Sequence, residues 1–151
     1  MAGKADLMPK NIKTIAIPAF GNLTTRYKLP DLLTAAVTRE FISRTRYQIV
    51  NDSNNADAVL SGTVTNLFTY PTIFDPKTGR ASGVQVIVVL QVALRDRATG
   101  AALFSRPAMQ FRQNYEISVD PNAYFDESDV AMARLSQDVA RSVVAAILEN
   151  F

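Results

Sequence analysis

Val84-Gln-Val-Ile-Val-Val-Leu-Gln-Val-Ala-Leu-Arg95 is the stretch that decides the fold. Every even position from Val84 to Leu94 is apolar, while Gln85, Gln91 and Arg95 fall on odd positions. A period of two held this long marks a strand with one face against a core. On its N-terminal side, Asp57–Tyr70 carries a similar pattern. Its even face is Ala58, Leu60, Gly62, Val64 and Phe68, interrupted by Asn66, and threonines line the other side. Pro71 is expected to end that strand. Phe74–Gly83 then reads as a hairpin loop whose two glycines supply positive φ. On the C-terminal side, Arg95–Gly100 makes a tight return into a strand over about Ala102–Tyr115, kinked at Pro107.

Further out, the period changes. Leu29, Leu33, Val37 and Phe41 recur every four residues, a helical stripe opened by Pro30 and reaching about Arg44. Met132, Leu135, Val139, Val143, Ala146 and Ile147 form a second stripe, with Asp126 as N-cap, Glu127 and Asp129 in the first turn and a Phe125–Val130 staple. Short strands at Ile12–Ile17 and Tyr47–Val50 flank the first helix. The Phe20-Gly21-Asn22 run reads as a turn, as does Asn51–Asn55. The order β-α-β-β-β-β-α predicts an α+β two-layer sandwich, with both helices on one face of a mixed four- to five-stranded sheet. Residues 1–151 are expected to form a single domain, of which 1–11 would be a flexible lead-in.

Charge is spread unevenly. Residues 1–50 carry eight Lys/Arg against three Asp/Glu, 71–115 six against two, and 116–151 two against seven. The net charge of +2 is too small to suggest a nucleic-acid partner. With no cysteine, disulfides and thiolate metal sites are excluded in this chain. With no histidine, imidazole acid–base chemistry is excluded too. Gly-x-Ser-x-Gly, the Walker loop and Gly-x-Gly-x-x-Gly are all absent. Asp126, Glu127 and Asp129 could work as paired acids, but a helix start explains them more simply. Asp75 and Asp96 are turn formers, and Asn22-Leu-Thr24 is a sequon of a kind that arises by chance. No catalytic residue, metal or cofactor is expected. Phe68, Tyr70 and Phe74 run into a basic loop with Lys77 and Arg80, which would suit an amphipathic anion.

Four segments carry a family resemblance: Ile12–Thr25, Thr38-Arg-Glu-Phe41, Tyr47-Gln-Ile-Val50 and Ala56-Asp-Ala-Val-Leu-Ser-Gly-Thr-Val64. Together they resemble the lipopolysaccharide-assembly lipoproteins of the LptE family, over about Ala2–Phe151. The resemblance implies a non-catalytic subunit at the periplasmic face of the Gram-negative outer membrane. It would be held there by a lipidated cysteine, plug the β-barrel LptD and bind lipopolysaccharide. The absent cysteine is read as a chain that begins just after the lipid-bearing residue, with Met1 added for expression. By the same resemblance, the Lys77-Thr-Gly-Arg80 loop would present Lys77 and Arg80 to lipopolysaccharide. Phe111 and Arg112 would contact the barrel. The alternative is another periplasmic lipoprotein module of similar fold, ring-forming, in a secretion or cell-envelope complex.

Overall fold

The computed structural model describes residues 11–77, 79, 81–116 and 128–150. The elements run β1 Thr14–Ala16, β2 Gly21–Asn22, α1 Leu29–Arg44, β3 Gln48–Val50, β4 Ala58–Phe74, β5 Ala81–Asp96, β6 Ala102–Glu116 and α2 Ser128–Glu149. They build the expected two-layer α+β sandwich, with a six-stranded mixed sheet ordered β3-β1-β4-β5-β6 and β2 beside β4. β1 runs parallel to β3 and β4, the connection to β3 passing through α1. β4, β5 and β6 form an antiparallel meander.

Both helices lie on the face that carries the even residues of β5. Val86, Val88, Leu90, Val92 and Leu94 share one buried cluster with Leu29, Leu33, Val37 and Phe41 of α1 and Leu135, Val139, Val143 and Ile147 of α2. Burying such side chains contributes about 1.5–3 kcal/mol each, the dominant favourable term. The predicted N-cap Asp126, its neighbour Glu127 and the staple residue Phe125 lie outside the described residues; Asp129 does occupy the first turn of α2.

The two helices run side by side in the same direction. Leu29 and Leu32 at the start of α1 wall a groove with Asp129 and Met132 at the start of α2. Ala36 and Glu40 meet Ala140 and Arg141 further on, and Arg44 donates to the Arg141 carbonyl at 3.4 Å.

Two strand boundaries differ from expectation, at Gly21–Asn22 and at Pro71, while the turn expected over Asn51–Asn55 is present. Gly21–Asn22 is a short strand parallel to Thr63–Val64, because the next residue, Leu23, donates its N–H to Val64 O at 2.9 Å. Residues Ser53–Asn55 close into a 3-10 turn, with Asp52 accepting from the Asn54 N–H. β4 passes through Pro71 to Phe74, so Pro71 does not end it. Proline is tolerated where its missing N–H faces away from the neighbouring strand.

Glycines show the same dependence on distant partners. Gly79 has φ +71° and makes the hairpin turn, but Gly83 lies within β5 and not in a loop. A Cβ on Gly83 would meet the Ile73 side chain at 3.2 Å, so this glycine serves close packing.

At the root of the sheet, Asp57 Oδ2 accepts the Lys13 N–H at 2.8 Å and the Thr14 N–H at 3.1 Å. Arg97 bonds the Ala56 carbonyl at 2.6 Å. The Lys13 N–H first, then the Thr14 N–H, hold the Asp57 carboxyl below its ordinary value near 3.8. A carboxylate whose pKa is lowered by folding adds stability above the unfolded value, and that share is lost as pH falls through the folded one. Acid unfolding followed by circular dichroism should therefore separate wild type from Asp57→Asn. The wild-type advantage should be full at pH 6 and shrink below about pH 4; a constant offset across that range would remove this role for the ionised form.

Candidate functional site

The side of the sheet away from the helices is divided in two by a bulge in β4. Before it, even residues face the helices and Ser61 and Thr63 face out beside Gln91, Ala93 and Arg95 across β5, making a shallow polar basin of about 170 Å³. The register shifts between Val64, opposite Leu90, and Asn66, opposite Val89. One extra residue against β5 reverses the parity of the strand as far as Pro71, beyond which the register shifts again and brings Ile73, opposite Gly83, to the outer side. Leu67, opposite Val88, now packs against the core, while Phe68, opposite Ile87, and Tyr70, opposite Gln85, turn outward. The alternation read from the sequence had placed Phe68 on the buried face. It is instead 39% exposed, and Tyr70 49%.

The two rings stack with centroids 6.3 Å apart and planes at 24°. Ile73 continues the strip over Gly83, and half-buried Ile87 and Val89 floor it. Because Ile87 pairs Phe68 on one side and Arg112 on the other, Arg112 lies in the same cross-strand row as the aromatic pair. The outer face of the distal hairpin is thus an apolar strip with an exposed guanidinium on its flank. Exposed aromatic surface beside a cation suits a ligand that is part hydrocarbon and part anion.

Of the four residues expected to act, Lys77 is exposed at the hairpin tip, where its N–H donates to Asp75 Oδ1 at 3.2 Å. Arg80 lies outside the described residues. Phe111 and Arg112 are adjacent yet face opposite ways: Phe111 packs half-buried against the core, and Arg112 is exposed. Only Arg112 is therefore presented on the outer face. From its row, opposite Ile87, to the end of the hairpin at Ala81 is about 20 Å along the strand. Lys77 and Arg112 flank the strip from different ends. Sequence reasoning missed Ile87 as a site residue, because a β-branched residue on the polar side of an alternating strand is its one local signal.

A second concavity of about 420 Å³ opens where both helices begin, with Leu29, Leu32 and Met132 as apolar walls and Arg26, Lys28 and Asp129 at the rim. The loop above it is held by Asn22, whose Oδ1 accepts from the Thr24 N–H and hydroxyl and whose Nδ2 donates to Arg26 O. Asp75 and Asp96 both act as turn formers; Asp96 Oδ1 accepts from the Ala98 and Thr99 N–H groups. Among the described residues, no three His, Cys, Asp or Glu side chains gather to hold a metal ion. No described helix is long and apolar enough to cross a membrane.

Comparison with known proteins gives a consistent picture. Curated proteins yield no match. Among solved structures, rare lipoprotein B from Shewanella oneidensis is 15% identical with a TM-score of 0.55, over 87% of this chain and 92% of that one. Uncharacterized lipoprotein B from Nitrosomonas europaea is 13% identical with a TM-score of 0.59, over 91% and 81%. The PelC dodecamer from Paraburkholderia phytofirmans is 17% identical with a TM-score of 0.57, over 92% and 88%. At such identities the likeness establishes the shared sandwich. The family model for lipopolysaccharide assembly, LptE, matches residues 12–147. With the match spanning nearly the whole domain, the chain belongs to the LptE lipopolysaccharide-assembly family of cell-envelope lipoproteins.

Proposed function

We propose that, within lipopolysaccharide assembly, this chain is a non-catalytic subunit at the outer membrane that plugs an LptD-type β-barrel and contacts lipopolysaccharide in transit. The observation that carries the lipid contact is the bulge-driven exposure of Phe68 and Tyr70 in the row of Ile87 and Arg112. The strip receives acyl chains, and Arg112 and Lys77 at its two ends receive phosphate groups, a role we also propose for Arg80, three residues from Lys77 in the sequence. A polar skin elsewhere, such as the Ser61, Thr63, Gln91 and Arg95 basin, suits a body seated in a barrel with a polar interior.

Lipopolysaccharide binding to the purified chain tests this directly. The double reversal Lys77→Glu, Arg112→Glu should weaken binding tenfold or more and leave the melting temperature nearly unchanged, since exposed charges add little to folding. Unaltered affinity would move the lipid contact elsewhere on the surface. For the barrel, the check is co-purification with the LptD-type partner. A stable homo-oligomeric ring that ignores the barrel would favour a role in a different envelope complex.

A further inference from the structure

The meander leaves two long edges, and they are not equivalent. On β4, the Val64 carbonyl faces away from β5, because it accepts the Leu23 N–H. Peptide groups alternate sides along a strand. Val64 stands opposite Leu90, so Leu90 turns its own groups to β6, where it pairs with Met109. Counting along β5 past the bulge, Leu67, Thr69 and Pro71 direct their backbone outward. That edge is closed to strand addition at two of its three outward positions. The Leu67 N–H is taken by the Asn66 side chain at 3.1 Å, and Pro71 has no N–H. Prolines and local side-chain bonds of this kind are how sheets keep an edge from pairing.

The β6 edge carries such a stop only at Asn114, whose carbonyl is occupied; Gln110 and Arg112 have none among the described residues. Beyond Met109, parity turns Gln110, Arg112 and Asn114 outward. The Arg134 guanidinium, which donates to Asn114 O at 3.2 Å, confirms the direction independently. Gln110 and Arg112 offer two N–H and two C=O groups that no described residue occupies, and Pro107 lies at the bulge below them. Exposed cations stand on both sides of this edge, Arg112 on the outer face and Arg134 on the helix side.

We propose that the Gln110–Asn114 edge of β6 is a strand-addition site for an extended acidic segment of the barrel partner. The proposal rests on the barrel function proposed above and specifies how the contact is made. Main-chain bonds to Gln110 and Arg112 give the grip, and a carboxylate beside Arg134 sets the register, leaving the Arg112 guanidinium on the outer face for phosphate. Barrel wall strands are already paired on both sides, so the segment comes from a loop reaching into the lumen. A second copy is disfavoured in a pairing centred on Arg112, which sets like charges opposite each other.

The test uses the full chain co-expressed with its barrel, with amide exchange measured on the free chain and in the complex. Exchange at Gln110 and Arg112 should slow at least tenfold on assembly, with Thr69 on the opposite edge unchanged. Gln110→Pro removes one outward N–H and no ladder bond, and it should weaken the complex tenfold or more; Thr69→Pro, its mirror on β4, should not. A complex in which Gln110 and Arg112 exchange as freely as in the isolated chain overturns the edge assignment and leaves the barrel function standing. Dimers of this chain alone that Gln110→Pro dissolves would also overturn it, in favour of self-pairing. Failure of the wild-type chain to bind the barrel would remove both. If Gln110→Pro does not fold, the exchange measurement on wild type decides.

Discussion

Gly62→Val is expected to lower the stability of the domain by about 1–3 kcal/mol or more. A Cβ at this position would lie 2.6 Å from Phe20 Cε2 and 2.8 Å from two further ring atoms, inside any normal contact. The Phe20 ring, in a residue 5% exposed, lies against the bare backbone of β4 at Gly62, and the Phe20 backbone N–H donates to Thr34 Oγ1 of α1 at 3.0 Å. The ring therefore cannot withdraw without disturbing the β1–α1 connection. Thermal melts should show the loss as a drop of several degrees. The double change Gly62→Val, Phe20→Ala should recover part of it, because the valine methyls then occupy space the ring has left. Strict additivity of the two single losses would mean that the two residues are not coupled.

The second large effect separates neighbours in sequence. Leu67→Asp should destabilise the domain by about 1–3 kcal/mol, since it sets a carboxylate against the core margin opposite Val88. Phe68→Asp, one residue on, should leave the melting temperature within a degree or two and reduce lipopolysaccharide binding tenfold or more. It removes half of the stacked pair and adds a negative charge where an anion is to be received. Denaturant titration and a binding assay on the same two proteins decide the matter. If Phe68→Asp unfolds the chain while Leu67→Asp is tolerated, the alternation of β4 runs unbroken and the aromatic strip does not exist.

That contrast also marks where sequence legibility stops. The alternation of Val84–Leu94 and the four-residue spacing of Leu29–Phe41 are local signals, and both surfaces are buried as the spacing requires. The face on which Phe68 lies is not local. Asn66 in a threonine-rich alternation reads as one polar interruption, and only pairing with Val89 reveals an added residue. Pro71 reads as a terminator by its own chemistry, and its survival inside β4 depends on which neighbour lies on its N–H side. Gly62 is intelligible only once Phe20 is seen against it. The cations could be named in advance, but the row that joins Arg112 to Ile87 and Phe68 spans three strands and has no signature in any one of them.

The distal hairpin carries one more implication. From Thr69 through Phe74, every residue of β4 is exposed, although its partner β5 is still buried on its inner side as far as Val84. The β4 end from Thr69 to Phe74 is a cantilever rooted in a closely packed base. It can bend or open at little free-energy cost while the base stays closed. Substitutions there leave folding almost untouched, so selection can retune the tip to a new envelope chemistry without risking the body that holds it.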